Sequence, residues 1–201
     1  MRTTSDAHRD GVLTRYQNIL TANVNLMSQH HESDWIITAD NVVIWMPREV
    51  AGACIDEATR LFPVETGGTF MGWWTNAGTA VITAMIGPGP RATHGRHHFQ
   101  PDQEWQLEQI AQHYEKSGRR ETYLGDWHSH PNRLRNTLSR VDRRVLQQII
   151  NTPSARCSTP LMAVLWGRSN DWQVSMWNAK IDQRRILWDR LVLKEATLRL
   201  F

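Results

Sequence analysis

The amino-acid sequence predicts an α/β protein of the mixed, α+β kind, in which helices flank a curved mixed β-sheet. Segments with strand character alternate with helical segments, but irregularly. At least one pair of neighbouring strands is joined by a hairpin-like turn, Asn76-Ala77-Gly78, so antiparallel pairing is part of the sheet. Neither GxGxxG nor GxxxxGKS/T occurs, which removes the fingerprints of a doubly wound nucleotide-binding sheet.

In chain order, residues 1–33 read as a helical N-terminal extension ahead of a main domain over residues 34–201. Val12, Tyr16 and Ile19 fall at helical spacing within a helix over residues 10–28. A short apolar strand over residues 42–46 ends at Pro47. Residues 49–62 form an amphipathic helix with Val50, Cys54, Ala58 and Leu61 on one face, and Pro63 stops it. Strands at 69–74 and 79–86 flank the hairpin turn. The stretch 87–100, with Gly87, Pro88, Gly89, Pro90 and Gly95, reads as a loop. Pro101 takes the first position of a helix running to Lys116, with Leu107, Ile110, Ala111 and Tyr114 inward and Gly118 as its stop. A strand over 122–128 leads through a loop to Ser139, which opens a helix carrying Val141, Val145 and Ile149 inward. Strands at 161–166 and 172–177 and a C-terminal helix over 182–199 complete the chain.

Composition narrows the function classes. A chain of 201 residues can bury a real core, and 40% hydrophobic with 21% charged residues is ordinary for a globular protein. No window is apolar for long enough to span a bilayer, so no membrane role is expected. The first eleven residues lack an apolar signal core, which makes the cytoplasm the expected compartment. Cys54 and Cys157 stand alone in sequence, excluding a disulfide framework and a cysteine-rich zinc site. The net charge of +3 is not gathered into a long basic run, so the case for a nucleic-acid partner is weak. Most of the ten tryptophans belong to the core.

The chemistry concentrates in Asp126-Trp127-His128-Ser129-His130-Pro131. On a strand, residues i and i+2 share a face, so His128 and His130 project together and Ser129 points away. Asp142, three residues after the helix-capping Ser139, sits in the first helical turn and faces back toward the strand end. Two imidazoles and one carboxylate make three sites of a zinc shell and leave the fourth open, as catalytic zinc requires. Taken singly, a capping serine with an acid at the third position is a common helix start, and a strand-end His-x-His is often only polar surface. Their coincidence favours a metal.

His128-Ser129-His130-Pro131 followed by Ser139-Arg140-Val141-Asp142, and preceded at a distance by Glu65-Thr66-Gly67-Gly68, resembles the motif of the JAMM/MPN+ metalloprotease family. The similarity covers residues 42–177, and residues 99–102 and 123–127 add a likeness to its compact prokaryotic members. The resemblance implies an MPN/JAB domain related in fold to cytidine deaminases. It also implies hydrolysis of peptide or isopeptide bonds after the C-terminal glycine of a ubiquitin-like modifier. Eight residues separate His130 from Ser139, one more than the family pattern, which reads as a loop insertion because Ser139-x-x-Asp142 keeps its spacing.

By this resemblance Zn2+ is held by His128, His130 and Asp142. The ion lowers the pKa of its water from ~16 to about 7. Glu65, otherwise an ordinary turn glutamate, is then the general base that moves the water's proton to the leaving amine. The Ser139 hydroxyl donates to an oxyanion or serves only as a helix cap. Asp126 either orients an imidazole or is a buried, hydrogen-bonded carboxylate. Arg133, Arg135, Arg140, Arg143 and Arg144 either attract an acidic partner or are a solvated face. The remaining histidines, His30-His31 and His94 with His97-His98, lack a carboxylate at ligand spacing and read as loop or substrate contacts. A mobile flap over 87–100, a second loop over 132–138 and the walls Trp73, Trp74 and Trp127 would hold an extended glycine tail.

The implied partners are the modifier, its conjugates, and activating- and conjugating-enzyme-like proteins of the same antiphage operon. Three other classes rank lower. A zinc deaminase needs His-x-Glu and Pro-Cys-x-x-Cys, which are absent. A catalytically silent MPN scaffold has no reason to hold two His, Asp and Glu at these positions. A nucleic-acid-processing protein rests only on the arginines.

Overall fold

The computed structural model describes residues 36–76, 78–135, 137–182 and 190–201. The helix expected over 10–28, and with it the N-terminal extension, lies outside the described residues. The strands are β1 (Ile36–Met46), β2 (Gly67–Asn76), β3 (Thr79–Ile86), β4 (Thr93–His94), β5 (Phe99–Gln100), β6 (Thr122–Pro131), β7 (Leu161–Arg168), β8 (Asp171–Asp182) and β9 (Arg190–Leu200). The helices are α1 (Arg48–Leu61), α2 (Gln103–Lys116) and α3 (Arg140–Asn151). The expected mixed α/β architecture is present. Its sheet goes further than curvature: seven strands in the order β1-β3-β2-β6-β7-β8-β9 close on themselves, with β9 parallel to β1.

β2 and β3 form the expected hairpin, and β6 runs antiparallel to β2 but parallel to β7. Ile44, Phe70, Leu124, Trp127, Leu161 and Leu165 share the main apolar cluster, which Ala51, Cys54 and Ala58 of α1 join. A second cluster sets Ile110 of α2 and Ile149 of α3 beside Met71 and Tyr123. A third sets Leu146 of α3 with Met162, Val164 and Leu193.

The expected C-terminal helix is overturned over its described residues, with 183–189 lying outside them. Asp171–Asp182 is one long strand, and Arg190–Leu200 is another. Leu191, Val192 and Leu193 are buried in succession, on both faces of β9. Partners on both edges, β8 and β1, take up its backbone groups and outweigh the helical propensity of this leucine- and lysine-containing segment. Val141 also departs from expectation. It is 63% exposed, because the buried stripe of α3 is Asp142, Leu146 and Ile149. The inward slot of the first turn belongs to the carboxylate, which turns Val141 to solvent.

The loop between β3 and α2 is ordered at its base and carries the small β4–β5 hairpin. Asp102, rather than Pro101, begins α2: its carboxylate caps the Trp105 amide at 3.4 Å. The same carboxylate takes three bonds from Arg91, at 3.1 Å from the amide and at 3.0 and 2.9 Å from the guanidinium. The Asp102 amide donates to the Pro88 carbonyl at 2.8 Å, closing the loop.

The bonds from Arg91 hold the Asp102 carboxyl below its usual pKa against the opposing pull of burial. A depressed carboxylate stabilises the fold fully above its unfolded pKa and loses that contribution as pH falls through the folded value. Asp102→Ala is therefore expected to lose about 1 kcal/mol of stability at neutral pH through the cap alone. Its melting temperature should also fall less steeply than the parent's below about pH 4. Thermal scans of both proteins across pH check this.

Candidate metal centre

The site is built on β6 and the first turn of α3. Along β6, Trp127 (1% exposed) and Ser129 (0%) turn into the protein, and His128 and His130 face the opposite side. Ser129 does more than fill space. Its hydroxyl accepts the Thr66 amide at 3.0 Å, and its amide donates to the Thr66 carbonyl at 2.8 Å. This reciprocal pair ties the residue after Glu65 to the residue between the two histidines. Gly67 stands opposite His128 in register, and a Cβ there would run into the Trp127 carbonyl and the His128 side chain. The glycines following Glu65 therefore permit the close backbone approach expected of them.

The imidazoles face one another edge to face, with Nε2 atoms 3.0 Å apart, and Asp142 Oδ1 lies 3.4 Å from Nε2 of His128. One ligand atom from each of the three residues lies within 4.8 Å of the other two. In a tetrahedral shell with metal–ligand bonds of 2.0–2.1 Å, neighbouring donors stand about 3.4 Å apart. The donor set and its spacing thus fit a divalent metal ion.

Asp142 reaches this position through its cap. Ser139 Oγ accepts the Asp142 amide at 3.1 Å, and Asp142 Oδ2 accepts the Ser139 amide at 2.6 Å, a reciprocal capping box. One carboxylate oxygen holds the helix start, and the other faces the histidines. Arg133, Leu134, Arg135 and Thr137 of the loop between His130 and Ser139 line the cleft.

The charges of the site are strongly coupled. Burial works to raise the Asp142 carboxyl, but the adjacent His128 ring and the Ser139 amide hold it well below the ordinary range. Burial works to lower His128, yet Asp142, Glu65 and Asp126 leave it above its usual value. His130, buried beside a cationic neighbour, is pushed down to about 4. Glu65 lines the same cleft, of about 1030 Å³. Burial raises its carboxyl to about 7, with His128 opposing and Asp142 reinforcing the shift.

The remaining candidates named from the sequence divide between the cleft and its surroundings. Asp126 is half-buried in the cleft wall, accepts the Tyr123 hydroxyl at 2.8 Å, is raised to about 6 by burial, and its charge helps hold His128 up. Of the three tryptophans expected as walls, Trp127 lines the cleft. Trp73 and Trp74 lie farther along β2, paired with Val81 and Ala80 and away from it, because the site opens at the opposite end of that strand. His97 and His98 are exposed and line the cleft. His94 departs from a solvated loop residue: its Nδ1 lies 3.0 Å from the Glu65 carbonyl oxygen, and its ring stacks on Phe99. No spacing rule in the sequence links His94 to Glu65, since only the folding back of the hairpin joins them.

A sheet that presents two strand-borne histidines and a helix-borne aspartate to one cleft makes an α/β domain with a site fit for a metal ion. The chain belongs to the prokaryotic homologs of the JAB domain, the family whose model matches residues 47–180. It is similar to a protein of Sinorhizobium fredii named probable metalloprotease y4qB, with 43% identity over 156 residues that cover 78% of this chain and 95% of that protein. Its fold matches the solution structure of protein DSY2949 from Desulfitobacterium hafniense with a TM-score of 0.57 at 16% identity, covering 79% of this chain and 93% of the other. At that identity the likeness speaks for the fold alone.

Ser129→Ala removes the acceptor for the buried Thr66 amide and is expected to cost about 1–3 kcal/mol of stability. Chemical denaturation measures the loss, and an unchanged midpoint would show that the bond does not anchor the Glu65 segment.

Proposed function

We propose that the protein is a zinc-dependent isopeptidase or peptidase of the JAMM type that cleaves after the C-terminal glycine of a ubiquitin-like modifier. In this reading His128, His130 and Asp142 hold the metal, and Glu65 is the general base. The observation that carries the reading is the convergence of the three ligand atoms within 4.8 Å in the cleft that Glu65 also lines. The name of the Sinorhizobium fredii relative, a probable metalloprotease, agrees with it. Two imidazoles and one carboxylate with an open fourth position suit catalytic zinc. Bound there, the ion supplies Lewis acidity toward the scissile carbonyl and a water acidified to near neutrality.

The remaining work falls to protein groups. The Glu65 carboxyl, which burial lifts above the ordinary carboxylate range, takes a proton in one step and returns it to the leaving amine in the next. The Ser139 oxygen accepts the Asp142 amide, so its own proton stays available for an oxyanion. The buried Trp127 and Met162 form part of the cleft floor, and exposed Leu134 and Val141 its rim. Between the β4–β5 hairpin and the 132–138 loop, an extended glycine tail fits without side-chain pockets. The arginines of the second loop suit an acidic partner. Among the described residues no helix is long and apolar enough to cross a membrane. We assign the activity to the cytoplasm, beside activating- and conjugating-enzyme-like proteins of an antiphage operon, where it would mature the modifier or remove it from conjugates.

Elemental analysis of protein purified without added metal should give about one zinc per chain, lost in the double variant His128→Ala/His130→Ala. Glu65→Gln should keep the zinc and the melting temperature while turnover falls by about 10²–10⁴. Parent-like turnover would exclude Glu65 as the base.

Mass spectrometry of the products from a modifier–reporter fusion should show a cut immediately after the modifier's terminal glycine. Replacing that glycine with a bulky residue should suppress it. Cuts scattered along the fusion would identify a general peptidase instead.

A further inference from the structure

Glu65 lies in the connection between α1 and β2, and the β4–β5 hairpin takes up its main-chain hydrogen bonds. The Glu65 amide donates to the Gly95 carbonyl at 2.8 Å, and the Glu65 carbonyl lies 3.0 Å from His94 Nδ1. A carbonyl oxygen only accepts, so Nδ1 of His94 carries the proton and donates it. The ring is itself fixed. It stacks on Phe99 at 5.4 Å with an interplanar angle of 26°, and Phe99 packs where a Gly67 Cβ would approach it to 2.9 Å. The turn that joins the two residues is tight: the Gly95 amide donates to the His98 carbonyl at 2.9 Å, and a side chain at Gly95 would collide with the His98 ring. The hairpin's base is stapled by Arg91 and Asp102. A rigid path therefore runs from α2 through the hairpin to the backbone of Glu65.

We infer that His94 is the positioning residue of Glu65, fixing its backbone through Nδ1–H so that the carboxyl addresses the cleft in one orientation. The inference deepens the proposed function and rests on its assignment of Glu65 as base. A base displaced by a fraction of an ångström loses proton-transfer efficiency while substrate binding is untouched, so the effect belongs in kcat rather than KM.

The test pairs two variants of the full chain. His94→Phe keeps a ring to stack on Phe99 but has no donor. His94→Asn loses the ring but places an amide N–H near the position of Nδ1. With ubiquitin fused through its terminal glycine to a fluorescent reporter as the probe, and a peptide containing Gly-Gly as the second probe, His94→Phe should lower kcat by about ten- to a hundredfold at unchanged KM and metal content. His94→Asn should recover most of that loss. In a Glu65→Gln background His94→Phe should add no further loss, because the two changes act through one group. Independently of any substrate, amide hydrogen exchange at Glu65 should accelerate in His94→Phe and return toward the parent rate in His94→Asn.

Parent-like kcat and Glu65 exchange in His94→Phe would overturn the inference. So would an equal proportional loss in both backgrounds, or equal impairment of the Phe and Asn variants with a lowered melting temperature. Full turnover by Glu65→Gln alone would overturn the base assignment, and the inference with it. That failure shows before His94 is altered and cannot be confused with the others.

Discussion

Along Trp127–His130 the two-residue period of β6 sorts four side chains onto two faces, and the site depends on that sorting. Trp127 joins the core. Ser129 disappears beneath the strand and exchanges two hydrogen bonds with Thr66. His128 and His130 are left on the cleft side with their Nε2 atoms together. A slip of one residue would bury both imidazoles and expose the tryptophan. Such a slip is opposed on both edges, because β6 is paired with β2 through six residues and with β7 through seven. Pairing that fixes the register of β6 therefore fixes the place of the histidines and, through Thr66, the place of Glu65.

The second constraint is the shared use of one carboxylate. Asp142 is buried at a helix start, where unpaired amides and the positive end of the helix dipole favour negative charge. Oδ2 answers the Ser139 amide, and Oδ1 answers His128. The cap makes a buried negative charge tolerable, and the charge keeps His128 above its usual pKa even though burial pulls the other way. For His130, burial and the neighbouring charged His128 ring outweigh the pull of Asp142 and drive it down to about 4. The two rings thus differ in electrostatic state although they are two residues apart on one strand. Partners, rather than ring chemistry, make the difference.

A third level of organisation surrounds these groups. Arg91 and Asp102 anchor the loop over residues 87–102 to the start of α2, and the hairpin it carries folds back onto the connection that bears Glu65. The opposite wall comes from the 132–138 loop, whose Leu134 is 83% exposed. The three metal-ligand candidates lie at the end of a paired strand and in a capped helix turn, while loops supply the cleft walls. Precise placement and adaptable recognition are thereby given to different parts of the chain.

Much of this was legible in the sequence wherever a local rule decides. The two-residue period places His128 and His130 together, and Ser139-x-x-Asp142 announces a capping box; both act over a few residues and need no knowledge of the fold. The same local reasoning recovers α1, the β2–β3 hairpin and the core face of α2. Tertiary structure alone settled the rest. The segment over 190–200 became a strand because β1 and β8 lie on either side of it. Val141 turned outward because the inward slot was taken by Asp142. Trp73 and Trp74 left the site because it opens at the other end of β2, and His94 reached Glu65 only when a distant hairpin folded back. Periodicity and capping are properties of a short stretch of chain and can be read from it. Which edges pair, and what a loop touches, depends on segments far away in sequence, and no short-range pattern encodes that.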